Sequence, residues 1–152
     1  MSHRRLLAAV AVAVVVVDQG TKWWALQALD DGPIVLISGF LRLHLTFNPG
    51  AAFSSFLGAG PLLGVIALAV AVVIVATIDG VRATRDVVAF GMIMGGALGN
   101  SVDRIARGTG FLDGHVVDWI DFSFWPTFNA ADSAISIAVV LLLLGAFVGR
   151  DA

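Results

Sequence analysis

The stretch VVAFGMIMGGALGNSVDRI, residues 87–105, decides how the rest of the chain is read. At a rise of 1.5 Å per residue, a helix of roughly 20 mostly apolar residues crosses a hydrocarbon core about 30 Å thick. Gly91, Gly95 and Gly99 recur every four residues and fall on one face, a stripe that lets a neighbouring helix pack backbone to backbone. Gly96, Asn100 and Arg104 repeat that spacing on the adjacent face and bring an amide and a guanidinium to one end of the helix. An ionised group near the middle of a bilayer costs about 2.5 to 3.5 kcal/mol, so Asp103 and Arg104 are expected to be functional or mutually paired.

Outward from this stretch, residues 6–29, 61–78 and 128–148 are also long apolar runs. Charged residues make up 13% of the chain and mean hydropathy is +0.95, the profile of an integral membrane protein. The expected fold is an all-α polytopic membrane protein, with four transmembrane helices and a small outward-facing β-sheet or cradle. Arg4 and Arg5 precede the first run as in a signal peptide, but that run continues through Trp23, Trp24 and Leu26 with no small-residue cleavage site. It is expected to stay in the mature protein. No Pro/Ser-rich linker divides the chain, so residues 1–152 are read as one domain. The absence of Cys removes disulfides, thiolate zinc sites and a cysteine nucleophile, and His3, His44 and His115 are too scattered for a His-rich metal site. A net charge of -2 without a basic patch gives no reason to expect nucleic acid.

Arg4, Arg5, Arg82, Arg85 and Arg150 fall on one side of the four runs, and Arg42, Arg104 and Arg107 on the other. The positive-inside rule then places both termini in the cytoplasm and the 30–60 and 106–127 connections outside, where Trp119 and Trp125 suit an interfacial belt. Within the first connection, Leu41, Leu43, Leu45 and Phe47 alternate with Arg42, His44, Thr46 and Asn48, the period of a strand with one apolar face. Ser38-Gly39 provides a turn before it, after a second apolar stretch at 34–37. A small sheet at the membrane surface follows. Asn48 leads into Pro49-Gly50-Ala51-Ala52-Phe53-Ser54, whose small residues let backbone approach a ligand.

The remaining polar residues of the spans lie toward the outer side. Asp18 and Lys22 are i,i+4 partners in the first, and Asn129, Asp132, Ser133 and Ser136 share one side of the fourth. A proton-coupled transporter would continue such groups to the inner surface, but the inner halves are Leu, Ala and Val. A metal-dependent phosphotransferase needs several carboxylates at ligand spacing, and only Asp118 and Asp121 come near it. A serine protease of the Gly-x-Ser-x-Gly type lacks its elbow.

Five segments together resemble the lipoprotein signal peptidases, the signal peptidase II family of bacterial membrane aspartyl proteases. They are Asp18-Gln19-Gly20-Thr21-Lys22, Asn48 to Ser54, Gly95 to Arg104, His115-Val116-Val117-Asp118-Trp119, and Phe128 to Ala134. Their order and spacing cover almost the whole chain. Pro49 stands where other members often carry Thr, and Trp119 replaces a common Phe; neither removes a functional group.

The resemblance implies a catalytic pair, Asp118 and Asp132, with Asn48, Gly50, Asn100, Arg104 and Asn129 supporting substrate or pair, and Asp18, Lys22 and Asp103 as a further polar layer. Two carboxyls in a poorly solvated site share one proton, which supplies an acid and a base for water attack without a covalent intermediate. The implied substrates are prolipoproteins carrying a diacylglyceryl cysteine, cut just before that cysteine at the outer face of the bacterial inner membrane. The expected partners are thus substrate and membrane lipid, with the chain acting as a monomer and needing no metal or cofactor. Simpler readings stand beside these. Asp132 also suits a helix cap, Asp18 and Lys22 a structural ion pair, Arg104 a snorkelling side chain, and His115 a structural role.

Overall fold

A computed structural model describes residues 1–50 and 60–148. The element order is α1 (His3–Ala28), β1 (Ile34–Ile37), β2 (Leu41–Asn48), α2 (Gly60–Thr77), a 3-10 turn (Ile78–Gly80), α3 (Thr84–Ala106), β3 (Val116–Phe122) and α4 (Ala130–Val148). Helix α3 is the centre of the bundle, packed by α1, α2 and α4 alike. Its glycines set how closely: a Cβ at Gly95 would lie 2.7 Å from the Ala11 carbonyl oxygen of α1, and one at Gly96 2.6 Å from the Ala131 carbonyl oxygen at the start of α4. Neighbouring backbones therefore occupy the space a side chain would need. The small-residue stripe serves α1 and the adjacent face serves α4.

Three helical segments, His3–Ala28, Gly60–Gly80 and Ala130–Phe147, are long and apolar enough to cross a membrane, with mean hydropathies of 1.5, 2.8 and 2.2. Their outward faces carry Val12, Val16, Leu62, Val72, Leu143 and Phe147, all more than half exposed. So continuous an apolar surface is stable against lipid rather than water. Asn100, Asp103 and Arg104 make α3 more polar, which its central position tolerates because the other helices shield it. An interior apolar cluster of Leu7, Ala11, Ile74, Ile78, Val87 and Met94 joins α1, α3 and the end of α2.

Arg4 makes a two-pronged ion pair with Asp79, joining the first turn of α1 to the 3-10 turn after α2, and the Arg85 guanidinium lies against Gly145 near the end of α4. These residues define one end of the bundle. Arg150 and Ala152, read from the sequence as belonging to that side, lie outside the described residues.

The opposite end carries an antiparallel sheet in the order β1-β2-β3. The first two strands are those expected from the 34–48 alternation, paired through Val35 and Arg42. The third comes from the second connection, which the sequence reads as a loop. It pairs with β2 from Leu41 opposite Phe122 to Asn48 opposite Val116, with a register shift between Leu43 and Thr46. Phe128 folds back on β3, exchanging backbone hydrogen bonds with Ile120 at 2.9 and 3.0 Å, and so delivers the chain directly into α4. Trp24 of α1 meets Trp119 of β3 edge-on, with centroids 5.6 Å apart.

Candidate active site

Asp118 and Asp132 come from different elements, one from β3 and one from the first turn of α4, and Asn129 is the residue between them. Its Nδ2 donates to Asp118 Oδ1 at 2.7 Å, while its backbone N–H donates to Asp132 Oδ2 at 3.3 Å. In return its Oδ1 accepts the Asp132 N–H at 3.0 Å, a reciprocal cap on α4. Asp132 is therefore a capping residue as the simpler reading holds, but only one of its oxygens is used for the cap. Oδ1 accepts from Asn100 Nδ2 at 2.9 Å.

The second oxygen of Asp118 accepts from Asn48 Nδ2 at 3.1 Å. Gly50 donates its N–H to Asn48 Oδ1 at 3.0 Å, which turns the amide NH2 of Asn48 toward the carboxylate. Asp118 is 2% exposed. Burial, and then the neighbouring Asp132 carboxylate, push it up to about 7 against the hydrogen bonds from Asn48 and Asn129. Among the described residues neither carboxylate has an ion-pair partner.

Behind them lies a cluster in which charges are matched. Lys22 Nζ is 2.8 Å from Asp18 Oδ2 and 2.8 Å from Asp103 Oδ2, and donates to Asn100 Oδ1 at 2.9 Å. Asn100 thus faces the ammonium with its oxygen and Asp132 with its NH2. Arg107 pairs with the other oxygen of Asp103 at 3.1 Å, and Gln19 Nε2 donates to Asp18 and to the Gly99 carbonyl, both at 3.1 Å.

Both carboxylates open into a cavity of about 480 Å³ lined also by Asn48, Gly50, Asn100 and Arg104. Leu63, Ile66, Ala67 and Val70 of α2 form one wall at helical spacing, with Ile93 and Ala97 of α3 and Ile135 of α4 facing them. The polar head thus continues into an apolar groove. Arg104 does not snorkel to the surface: it is 6% exposed, with Nη2 donating to the Gly50 carbonyl at 3.3 Å. Its buried Nη1 has no partner among the described residues. His115 is exposed and stands apart from the cavity, and Asp121 pairs with Arg42 across the sheet.

Of the site residues expected from the sequence, Asn48, Gly50, Asn100, Arg104, Asp118 and Asp132 line the cavity, Asp18, Lys22 and Asp103 form the cluster behind it, and Asn129 bridges the two carboxylates. Ala51 to Ser54, read as backbone able to approach a ligand, lie outside the described residues. The α2 wall was not expected, because in a helix apolar all round no pattern marks the face that lines a site. Gln19, to which the sequence gives no role, ties Asp18 to the Gly99 carbonyl.

A family model described as Signal peptidase (SPase) II matches residues 10–148. The chain is 38% identical over 154 residues to a lipoprotein signal peptidase of Rhodococcus jostii (strain RHA1), spanning 99% of this chain and 78% of that one. It is 39% identical over 148 residues to the lipoprotein signal peptidase of Mycobacterium tuberculosis (strain ATCC 25618 / H37Rv), spanning 97% and 73%. A solved bacterial membrane enzyme superposes with a TM-score of 0.80 at 28% identity, covering 93% of this chain and 87% of that one. A match of this extent, in sequence and in fold, means that the chain belongs to the signal peptidase II family of membrane proteases.

Proposed function

We propose that the chain is an aspartyl endopeptidase that removes the signal peptide from diacylglyceryl-modified bacterial prolipoproteins, with water activated by Asp118 and Asp132. The observation that carries this reading is a pair of carboxylates, Asp118 buried and Asp132 facing the cavity, joined by Asn129 and without an ion-pair partner among the described residues, at the head of an apolar groove. With Asp118 pushed up to about 7, the pair holds one proton near neutral pH. The ionised member takes a proton from water, and the water oxygen attacks the scissile carbonyl. The protonated member donates to the developing oxyanion. The proton taken from water then goes to the leaving amine as the C–N bond breaks. Asn129 and Asn100 hold the two carboxylates, and Nη1 of Arg104, without a partner among the described residues, is a donor for a substrate carbonyl.

Helices α2 and α4 both pack on α3, with the cavity between them, so a substrate anchored in lipid has a sideways route to it. In this reading α3 also crosses the membrane, giving four spans in the inner membrane. Residues 1–152 act as one monomeric domain, both termini are cytoplasmic and the carboxylates lie near the outer face. The concentration of Arg4, Arg5, Arg82 and Arg85 at the end away from the sheet supports this orientation. Neither metal nor cofactor takes part in the scheme.

The diacylglyceryl group contributes depth and orientation rather than affinity, because its chains are in hydrocarbon before and after binding. Initial rates on matched lipidated and unmodified precursors, in one detergent with chelator present, test the proposal. Cleavage of the lipidated precursor alone, just before its cysteine, is expected. Equal rates would make the chain a general signal-peptide protease, and loss of activity to chelator would replace the carboxylate mechanism with a metal one.

A further inference from the structure

The cluster behind the site contains two more buried carboxylates, Asp18 and Asp103, and both rest on the ammonium of Lys22, which has no exposed surface. An ion cluster that only joined helices would satisfy itself with side chains. This one also reaches backbone, at two chosen places. Asp103 Oδ2 accepts the Val117 N–H at 3.1 Å, and Asp18 Oδ1 accepts the Ala131 N–H at 3.0 Å. Val117 and Ala131 are the residues immediately before Asp118 and Asp132.

We infer that Lys22 is a positioning residue that ties the backbones carrying Asp118 and Asp132 to one buried charge, through Asp103 to β3 and through Asp18 to the start of α4. This rests on the reading of Asp118 and Asp132 as the reacting pair. The two carboxylates come from a surface sheet and a membrane helix, joined at the front by Asn129 and by the Phe128–Ile120 backbone pair. The common anchor ties the same two backbones from behind. Each arm is a hydrogen bond from a backbone N–H to an ionised carboxylate, among the stronger kinds, and the ammonium holds both arms at a fixed distance. The Lys22 contact to Asn100 Oδ1 adds a third tie, since Asn100 donates to Asp132. Space is reserved for the arrangement: a Cβ at Gly99 would lie 2.6 Å from Asp18 Oδ2, so α3 carries no side chain where the Asp18 carboxylate sits.

The test uses the full chain in detergent with a lipidated precursor. Lys22→Met is expected to lower kcat about a hundredfold with KM within about twofold, the signature of a site still able to bind but misaligned by an ångström or so. Because that variant leaves two buried carboxylates short of a counter-charge, it is paired with Lys22→Met/Asp18→Asn/Asp103→Asn, in which the charges are removed together. Thermal unfolding of this triple variant should stay near that of the parent while its kcat remains low. A triple variant with parental kcat overturns the inference. Asp18→Asn and Asp103→Asn singly and together supply a second measure: if both act through one ammonium, the double variant loses less than the product of the singles. Multiplicative losses would mean two independent supports and no common anchor. Asp118→Asn and Asp132→Asn in the same assay keep the two readings apart. If these are active the reacting pair is wrong, whereas inactive pair variants beside a fully active triple variant would remove only the anchor.

Discussion

Four carboxylates meet at the head of α3, three of them buried and Asp132 partly exposed to the cavity, and they fall into two pairs with opposite surroundings. Asp18 and Asp103 face cations, Lys22 and Arg107, at 2.8 to 3.1 Å. Asp118 and Asp132 face amides, from Asn48, Asn129 and Asn100. A carboxylate matched by a buried cation keeps its charge and serves as a fixed acceptor. One given only neutral donors in a dry site is held in place with its charge unmatched, which leaves its proton available for chemistry. The same residue type thus builds the frame in one place and the reactive pair in the other, and the neighbour decides which.

The largest effect that can break this comparison comes from the amide-held pair. Asp118→Asn and Asp132→Asn should each lower turnover of a lipidated precursor by about 10² to 10⁴, the usual contribution of a general acid or base, while the protein still inserts. Asp121→Asn, which loses a cross-strand pair with Arg42, should cost far less. Full activity of either Asp118→Asn or Asp132→Asn would leave no special role for the pair.

Next in size is the bridge. Asn129→Ala removes the donor to Asp118 Oδ1 and the side-chain oxygen that accepts the Asp132 N–H. A loss of about 10 to 100-fold in kcat is expected, from misalignment rather than missing chemistry. If the loss were all in KM, Asn129 would be a substrate contact and not a brace.

Much of this arrangement is readable in the sequence, and the exceptions have physical causes. The helices follow from apolar length, and the i,i+4 pair Asp18 and Lys22 is visible because both lie on one helix. Strand β2 shows its alternation. Strand β3 does not: Val116, Val117 and Asp118 are buried in succession, so the period of two disappears where the sheet and the loops cover both faces. Asp103 meeting Lys22, and both arms reaching backbone, are contacts between distant segments that spacing along one helix cannot show. Asp118 could be told from Asp113 and Asp121 only by resemblance to a family, since three loop carboxylates are alike until folding buries one of them with no ion pair among the described residues. The α2 wall stays hidden for the opposite reason, a helix too uniformly apolar to mark any face.

Stability should respond in opposite directions for the two pairs. Asp118 is pushed up to about 7 from 3.8, so the folded state holds its proton where the unfolded state has released it. The stability this gives is complete below about pH 4 and is lost as pH rises through about 7. Asparagine mimics the protonated form, so Asp118→Asn should unfold a few degrees higher than the parent at pH 8 and level with it near pH 4. Asp103→Asn takes a charge from Lys22 and Arg107 and should unfold lower at both. Thermal unfolding in detergent at the two pH values checks this, and the same sign for both variants would erase the distinction between frame and reactive pair.

The smallest effect concerns the pH profile. Loss of the last proton from the pair should end activity on the alkaline side, placing a falling limb of kcat/KM near pH 7. Asn48 donates to Asp118 Oδ2 and so favours the ionised form. Without that donor the carboxyl holds its proton to higher pH, and Asn48→Ala should move the limb upward by about half a unit to one unit, where a full unit corresponds to about 1.4 kcal/mol. Water entering the vacated space donates in place of the amide, which keeps the shift small. Asn48→Ser, which restores a hydroxyl donor, should return part of it. Rates fall in both variants because the Gly50 N–H loses its acceptor, so the position of the limb, not the height of the profile, is the measurement. A limb that stayed in place, or moved to lower pH, would mean that the proton lost there does not come from Asp118.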